Sequence, residues 1–242
     1  MKISVKNINF FLQPIINLNE NNTFGFEILA RLISGRMIHN PNTFIHLMND
    51  ENHHIFTRKL IINAFRLKKR FIKDNVLLFF NIDQSLFNKE FSDFLIGFAY
   101  FYNINPETII LEVLEDKPFN SYIDCLNAIK EMKNNGFKIA IDDYGSGHST
   151  LGRILDIEPD FIKIDRSIID SSSSNERKKT IIESTIELAN KLNIKIIAEG
   201  IEEHGDLEYL KSVNIEYYQG FYFSKPINPT NIKSSEDLCF HF

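Results

Sequence analysis

Apolar residues along this chain fall in short runs separated by longer amphipathic stretches. Eight runs rich in β-branched and aromatic side chains predict strands: Phe10–Asn17, Phe24–Leu32, Val76–Ile82, Thr108–Val113, Phe137–Asp142, Asp160–Ile164, Ile194–Ala198 and Ile215–Tyr218. Between them, Ile55–Phe71, Tyr122–Met132 and Lys179–Leu192 carry apolar residues at helical spacing, and Asn134-Asn135-Gly136 supplies a stop signal after the second. A strand, helix, strand alternation implies parallel strands. The first two runs are the exception. Only Leu18–Thr23 separates them, too little for a crossover helix, so they must form an antiparallel hairpin. The pattern predicts an α/β fold: a TIM-like (β/α)8 barrel with an antiparallel first strand.

Composition narrows this further. At 242 residues the chain is long enough for one such barrel, which commonly takes about 250. With 43% hydrophobic residues and 22 Phe it can fill a core, which excludes a disordered or collagen-like chain. Cys125 and Cys239 are the only cysteines, too few for a disulfide scaffold and consistent with a cytoplasmic setting. No apolar run approaches the roughly 20 residues of a membrane span, so no membrane insertion is expected. A net charge of −5 argues against duplex nucleic acid as partner. Ser171–Ser174 reads as a polar loop within the fold, residues 1–242 as a single domain, and residues 233–242 as a tail.

The chemistry lies at the strand ends. Glu27 lies within the second run, and Asn81, Glu112, Asp142-Asp143, Lys163, Glu199 and Gln219 stand at or near the ends of later ones. A barrel gathers the C-terminal ends of its parallel strands around one mouth. A lone carboxylate there is usually a helix cap or a surface group. Five on four strands would repel one another and hold protons unless cations neutralised them. Carboxylates and an Asn oxygen are hard donors that suit Mg²⁺, Mn²⁺ or Ca²⁺, and the absence of a Cys or His cluster excludes structural zinc. The adjacent Asp142 and Asp143 precede a Gly-rich turn. Asp142 could bridge two ions while Asp143 holds one, a pairing suited to phosphoryl displacement. Lys163 could orient water, stabilise charge or form a structural salt bridge.

At these residues the chain resembles the EAL domains, bacterial phosphodiesterases of cyclic di-GMP. The similarity rests on Glu27-Ile28-Leu29-Ala30-Arg31 after Gln13-Pro14-Ile15, on Asn81, and on Leu111-Glu112-Val113-Leu114-Glu115. It continues through the loop Asp142-Asp143-Tyr144-Gly145-Ser146-Gly147-His148-Ser149-Thr150-Leu151, Phe161–Arg166, Ala198–Glu202 and Gln219-Gly220-Phe221, spanning about residues 10–226. The resemblance implies two-metal hydrolysis of cyclic di-GMP to linear pGpG. It implies metal ligation by Glu27, Asn81, Glu112, Asp142, Asp143 and Glu199, with Lys163 and Glu199 catalytic. Gln13, Arg31, Asp165 and Gln219 take the substrate side; Glu115 and Glu202 act as loop-anchoring groups. Two Mg²⁺ or Mn²⁺ ions are expected, with Ca²⁺ inhibitory, and a homodimer is the expected assembly. Ile28, Leu32, Leu114 and His148 depart from the family pattern without removing a ligand. A catalytically weak module that senses cyclic di-GMP or binds a protein partner is the alternative.

Overall fold

The computed structural model describes residues 8–35, 37–114, 122–146 and 151–240. The short Leu18–Thr23 connection does produce a hairpin. Strands β1 (Ile8–Asn17) and β2 (Asn22–Ser34) pair antiparallel, with Gln13 directly opposite Glu27. The turn is held by Asn17, whose side-chain oxygen accepts from the backbone N–H groups of Asn19 and Glu20 at 2.9 and 3.1 Å. A short strand β3 (Met37–His39) folds back on the end of β2.

Helix and strand then alternate. The order is α1 (Asp50–Phe71), β4 (Leu77–Asn81), α2 (Lys89–Tyr102), β5 (Ile109–Leu114), α3 (Tyr122–Asn134), β6 (Lys138–Tyr144) and α4 (Leu151–Ile157). There follow β7 (Phe161–Ile164), α5 (Arg166–Ile169), α6 (Glu176–Leu192), β8 (Lys195–Ala198), α7 (His204–Ser212) and β9 (Tyr217–Tyr218). β2 pairs parallel with β4, β4 through β9 continue parallel in chain order, and β9 returns antiparallel onto β1. That last pairing closes an eight-stranded barrel, with β3 outside the ring.

The spacing of apolar residues singled out α1, α3 and α6 but not α2, α4, α5 or α7. α1 starts five residues before the periodic stretch because the Asn49 side chain caps it, accepting from Asn52 N at 3.0 Å. α2 buries Phe91, Leu95 and Ala99 at helical spacing, while its outer face also carries apolar residues. The loop expected at Ser171–Ser174 is present as a single tight turn, tied down by Asp206.

Residues 233–240 correct the expectation of a tail. Ser235–Leu238 form a 3-10 turn, Leu238 is buried in the main core, and Thr23 Oγ1 both donates to Leu238 O and accepts from Phe240 N. The segment carries an apolar anchor at Leu238, which the surrounding polar residues conceal in the sequence.

The interior of the barrel is a plug of Ile15, Leu77, Phe79, Ile110, Ala140, Phe161, Ile197 and Tyr217. Phe79 and Phe161 meet edge to face at 5.6 Å, and Phe24 lies tilted against Tyr217 at 4.0 Å. Gly25 faces this plug, where a Cβ would come within 2.8 Å of the Phe79 ring. The plug forms the floor of the mouth.

Candidate active site at the barrel mouth

Side chains on a strand alternate faces, so the residue two beyond an interior apolar residue also points inward. Ile110 is followed so by Glu112, Ala140 by Asp142, Phe161 by Lys163, Ile197 by Glu199 and Tyr217 by Gln219. Gly25 is followed likewise by Glu27 and Phe79 by Asn81. β1 runs the other way, and there Gln13 stands two residues before Ile15. One polar layer therefore sits on one apolar floor.

Lys163 occupies the centre of that layer. Its Nζ lies 2.6 Å from Glu112 Oε1, 2.7 Å from Glu199 Oε1, 2.8 Å from Asp142 Oδ1 and 3.7 Å from Glu27 Oε2. Its side chain is only 1% exposed and that of Glu112 is 0%. Burial opposes the charge on Lys163, but Asp142, Glu112, Glu199 and Glu27 outweigh it and hold its pKa well above the usual range. Desolvation raises the carboxyls of Glu112 and Glu199 well above theirs, with Lys163 pulling the other way, and raises Asp142 for the same reason. Asp143 is pushed up to about 6, first by burial and then by the charge on Asp142. A single ammonium does not neutralise this group.

Adjacent carboxylates reach one site because β6 bulges. Ile141 pairs with Ile162 and Tyr144 with Ile164, so three steps on β6 face two on β7. Asp143 takes a left-handed backbone with φ +56°. The bulge lets both carboxylates converge: one ligand atom each from Asp142, Asp143 and Glu199 lies within 4.8 Å of the others. The same holds for Glu27, Glu112 and Asp142. Asp142 belongs to both triads.

The donors fit a pair of divalent cations. All are oxygens, and Glu112 Oε2 is buried with no hydrogen-bond partner among the described residues. Five ionised carboxylates against one ammonium leave four negative charges, the amount that two divalent ions carry. Asn81 lies at the rim, its Nδ2 donating to Glu27 Oε1 at 2.8 Å.

The remaining residues divide. Gln13 is nearly buried beside Glu27, its Nε2 3.5 Å from Ser224 O. Arg31 stands farther along β2 on the face of Glu27, whose charge partly offsets the burial that lowers its pKa, and it donates to Ala30 O at 2.8 Å above the Phe11 ring. Asp165 caps α5 by accepting from Ser167 N. Gln219, expected on the substrate side, is buried and donates to Glu27 Oε2 at 2.6 Å, while its Oε1 has no hydrogen-bond partner among the described residues. Glu202, expected to anchor a loop at the site, pairs with Arg166 at 2.8 Å near the surface. Glu115 and His148 lie outside the described residues. Ile28 and Leu32 are buried in the core between sheet and helices, on the face of β2 opposite Glu27, and Ile28 also borders the cleft that opens beside Glu27.

A cleft of about 540 Å³ opens beside Glu27, Asn81, Asp142 and Asp143. Pro41, Ile45, His46, His53 and Phe56 line its far wall, residues that the motifs did not single out. They come from the excursion between β2 and α1 and from the first turns of α1, and the unusually long spacing from Glu27 to Asn81 was the available signal.

The model of the EAL domain matches residues 1–226. Several relatives are named as cyclic di-GMP phosphodiesterases. The probable cyclic di-GMP phosphodiesterase PdeG of Escherichia coli (strain K12) is 30% identical over 224 residues, covering 90% of this chain and 44% of PdeG. The cyclic di-GMP phosphodiesterase PdeA of Borreliella burgdorferi is 33% identical over 231 residues, covering 92% of this chain and 34% of PdeA. The chain thus spans less than half the length of either relative. Among solved structures, Klebsiella pneumoniae BlrP1 in a calcium and cyclic di-GMP complex superposes with TM-score 0.85 at 25% identity, over 99% of this chain and 60% of that one. A manganese complex of BlrP1 gives 0.83 at 26%, over 94% and 57%.

Proposed function

The chain belongs to the EAL domain family, and on that premise we propose that it is a metal-dependent phosphodiesterase that opens cyclic di-GMP to linear pGpG. The observation that carries this reading is the layer of five carboxylates, three buried and two half-buried, four of them paired with Lys163, with Asp142 common to two metal-sized triads. The names of PdeG and of the Borreliella PdeA support the substrate.

Glu27, Asn81, Glu112, Asp142, Asp143 and Glu199 would hold two Mg²⁺ or Mn²⁺ ions, with Asp142 shared. Such ions, when bound, polarise a phosphodiester and make water a better nucleophile near neutral pH. Glu199 would take a proton from the attacking water as general base. Lys163 keeps its charge and stabilises negative charge as it builds on the phosphate. The Arg31 fork suits a phosphate oxygen pair, and Gln13 and Asp165 offer polar groups on the substrate side. Gln219 keeps Glu27 in its ligating orientation.

Ca²⁺ should occupy the same oxygens and inhibit. It prefers more ligands at longer distances than Mg²⁺, and so loosens the geometry that attack requires. The same reading makes the protein a cytoplasmic homodimer. Cys125 and Cys239 are both free, which fits a reducing compartment. Exposed Leu151, Leu155 and Leu192 line an apolar groove between α4 and α6 that a second copy would cover. Sedimentation of the purified protein tests that assembly.

Product analysis tests the function. Purified protein incubated with cyclic di-GMP should yield pGpG in Mg²⁺ or Mn²⁺, and none in EDTA or in Ca²⁺ alone. Bound nucleotide without product in Mg²⁺ and Mn²⁺ would replace the enzyme with a cyclic di-GMP sensor. Turnover in Ca²⁺ equal to that in Mg²⁺ would overturn the metal argument.

A further inference from the structure

The chain is acidic overall, yet one part of its surface is not. From Arg58 to Lys73 it carries seven Lys or Arg and no Asp or Glu. Lys68 is buried, its ammonium bonded to the carbonyls of Lys73, Asp74 and Val76, where it fixes the end of α1. Arg66, Lys69, Arg70 and Lys73 are exposed, and none forms an ion pair among the described residues.

The neighbouring helix α2 adds aromatic rings. From Phe94 to Pro106 it and its cap carry no charged residue. Tyr100 is 89% exposed and Phe101 75%. The two surfaces are joined. Arg66 Nε donates to the Tyr102 hydroxyl at 2.9 Å, and Lys69 Nζ donates to Asn103 O at 3.2 Å. Phe98, Phe101 and Tyr102 form a ring cluster with centroids 5.1 to 6.4 Å apart.

We propose that this surface, Arg66, Lys69, Arg70 and Lys73 beside Tyr100 and Phe101, docks the protein on an anionic lipid bilayer. Exposed rings amid unpaired cations match the headgroup layer, where aromatic side chains settle and Lys and Arg meet lipid phosphate. The rest of the acidic chain is repelled by the same bilayer, which orients the cationic face downward. Each βα helix runs back from the mouth, so the C-terminal ends of α1 and α2 lie at the opposite rim of the barrel. Docking there leaves the carboxylate cleft open to a nucleotide arriving from water.

Vesicle flotation of the intact protein tests this without reference to turnover. Phosphatidylcholine vesicles containing phosphatidylglycerol should float the protein, pure phosphatidylcholine should not, and added salt should weaken the association. The triple change Lys69→Glu, Arg70→Glu, Lys73→Glu should cut partition by more than about tenfold, since each cation near an anionic surface contributes several-fold. Tyr100→Ser with Phe101→Ser should lower it severalfold and keep the salt response. Circular dichroism and a cooperative melt matching wild type certify each variant, and either variant alone suffices. Failure of the wild type to float on anionic vesicles, equal flotation on neutral ones, undiminished flotation of a folded variant, or tighter capture by single-stranded RNA than by vesicles each overturns the proposal.

Discussion

Gln219 Nε2 donates a 2.6 Å hydrogen bond to Glu27 Oε2, joining the last strand of the barrel to the second. Both side chains are buried, so neither can exchange this bond for one to bulk water. Gln219→Leu should therefore release Glu27 without removing a ligand. Loss of such a supporting bond typically weakens metal affinity by about 10- to 100-fold. Titration of turnover with Mg²⁺ should show that weakening, with most of the rate recovered at saturating metal. A parallel loss of maximal rate that no metal concentration restores would return Gln219 to a direct role on substrate.

Asp142→Asn should abolish turnover while the barrel still melts cooperatively. It removes one charge from the residue common to both carboxylate triads. Retention of more than about a tenth of the wild-type rate would contradict a shared Asp142, since lost charge stabilisation of that kind costs several kcal/mol of barrier.

Lys163→Met should leave the surrounding carboxylates without their internal cation. Breaking a buried ion pair from one side commonly costs about 3–5 kcal/mol. Urea unfolding in EDTA at neutral pH should show a loss of that order, shrinking near pH 5 as the carboxyls take up protons. Mg²⁺ should restore part of the stability and none of the turnover.

The metal-free protein should lose stability at this site as pH rises. Asp143 is held near 6 against an ordinary value of 3.8, and Glu112 and Glu199 shift in the same direction. Below both values the groups are neutral in the folded and unfolded chains alike. Between about pH 4 and 6 the unfolded chain ionises first, so the folded state is progressively disfavoured through its own pKa. Relative to wild type in EDTA, Asp143→Asn should therefore gain stability as pH climbs through that window, and Mg²⁺ should reverse the gain. A difference in melting temperature that does not vary with pH would refute the linkage.

Leu238→Ala should cost about 2–3 kcal/mol, the usual penalty for emptying a buried leucine site with partial collapse around it. Leu238 is 4% exposed in the main core. Chemical denaturation distinguishes this from the change within about 0.5 kcal/mol that an unpacked tail residue would give.

The strand period made most of the site legible before any fold was known. Alternation is local, so an inward apolar residue fixes the facing of the residue two positions on, and Ile110 and Glu112 or Phe161 and Lys163 follow from that alone. The hairpin was equally legible, because six connecting residues admit no crossover. Helix α2 was not singled out, because Tyr100 and Phe101 on its outer face blur the stripe that Phe91, Leu95 and Ala99 bury.

What tertiary structure decided is everything that depends on which strand lies beside which. The β6 bulge that turns Asp142 and Asp143 toward one point is a mismatch with β7, and no property of the dipeptide fixes it. The same closure brought Gln219 against Glu27, and packed Leu238 under the hairpin where composition suggested a tail. Lys163 became the centre of the carboxylates because four other strands brought their charges to it in a buried layer. Residue type and spacing are properties of one segment. Register, burial and charge balance belong to the closed barrel, because each is set by neighbours distant in sequence.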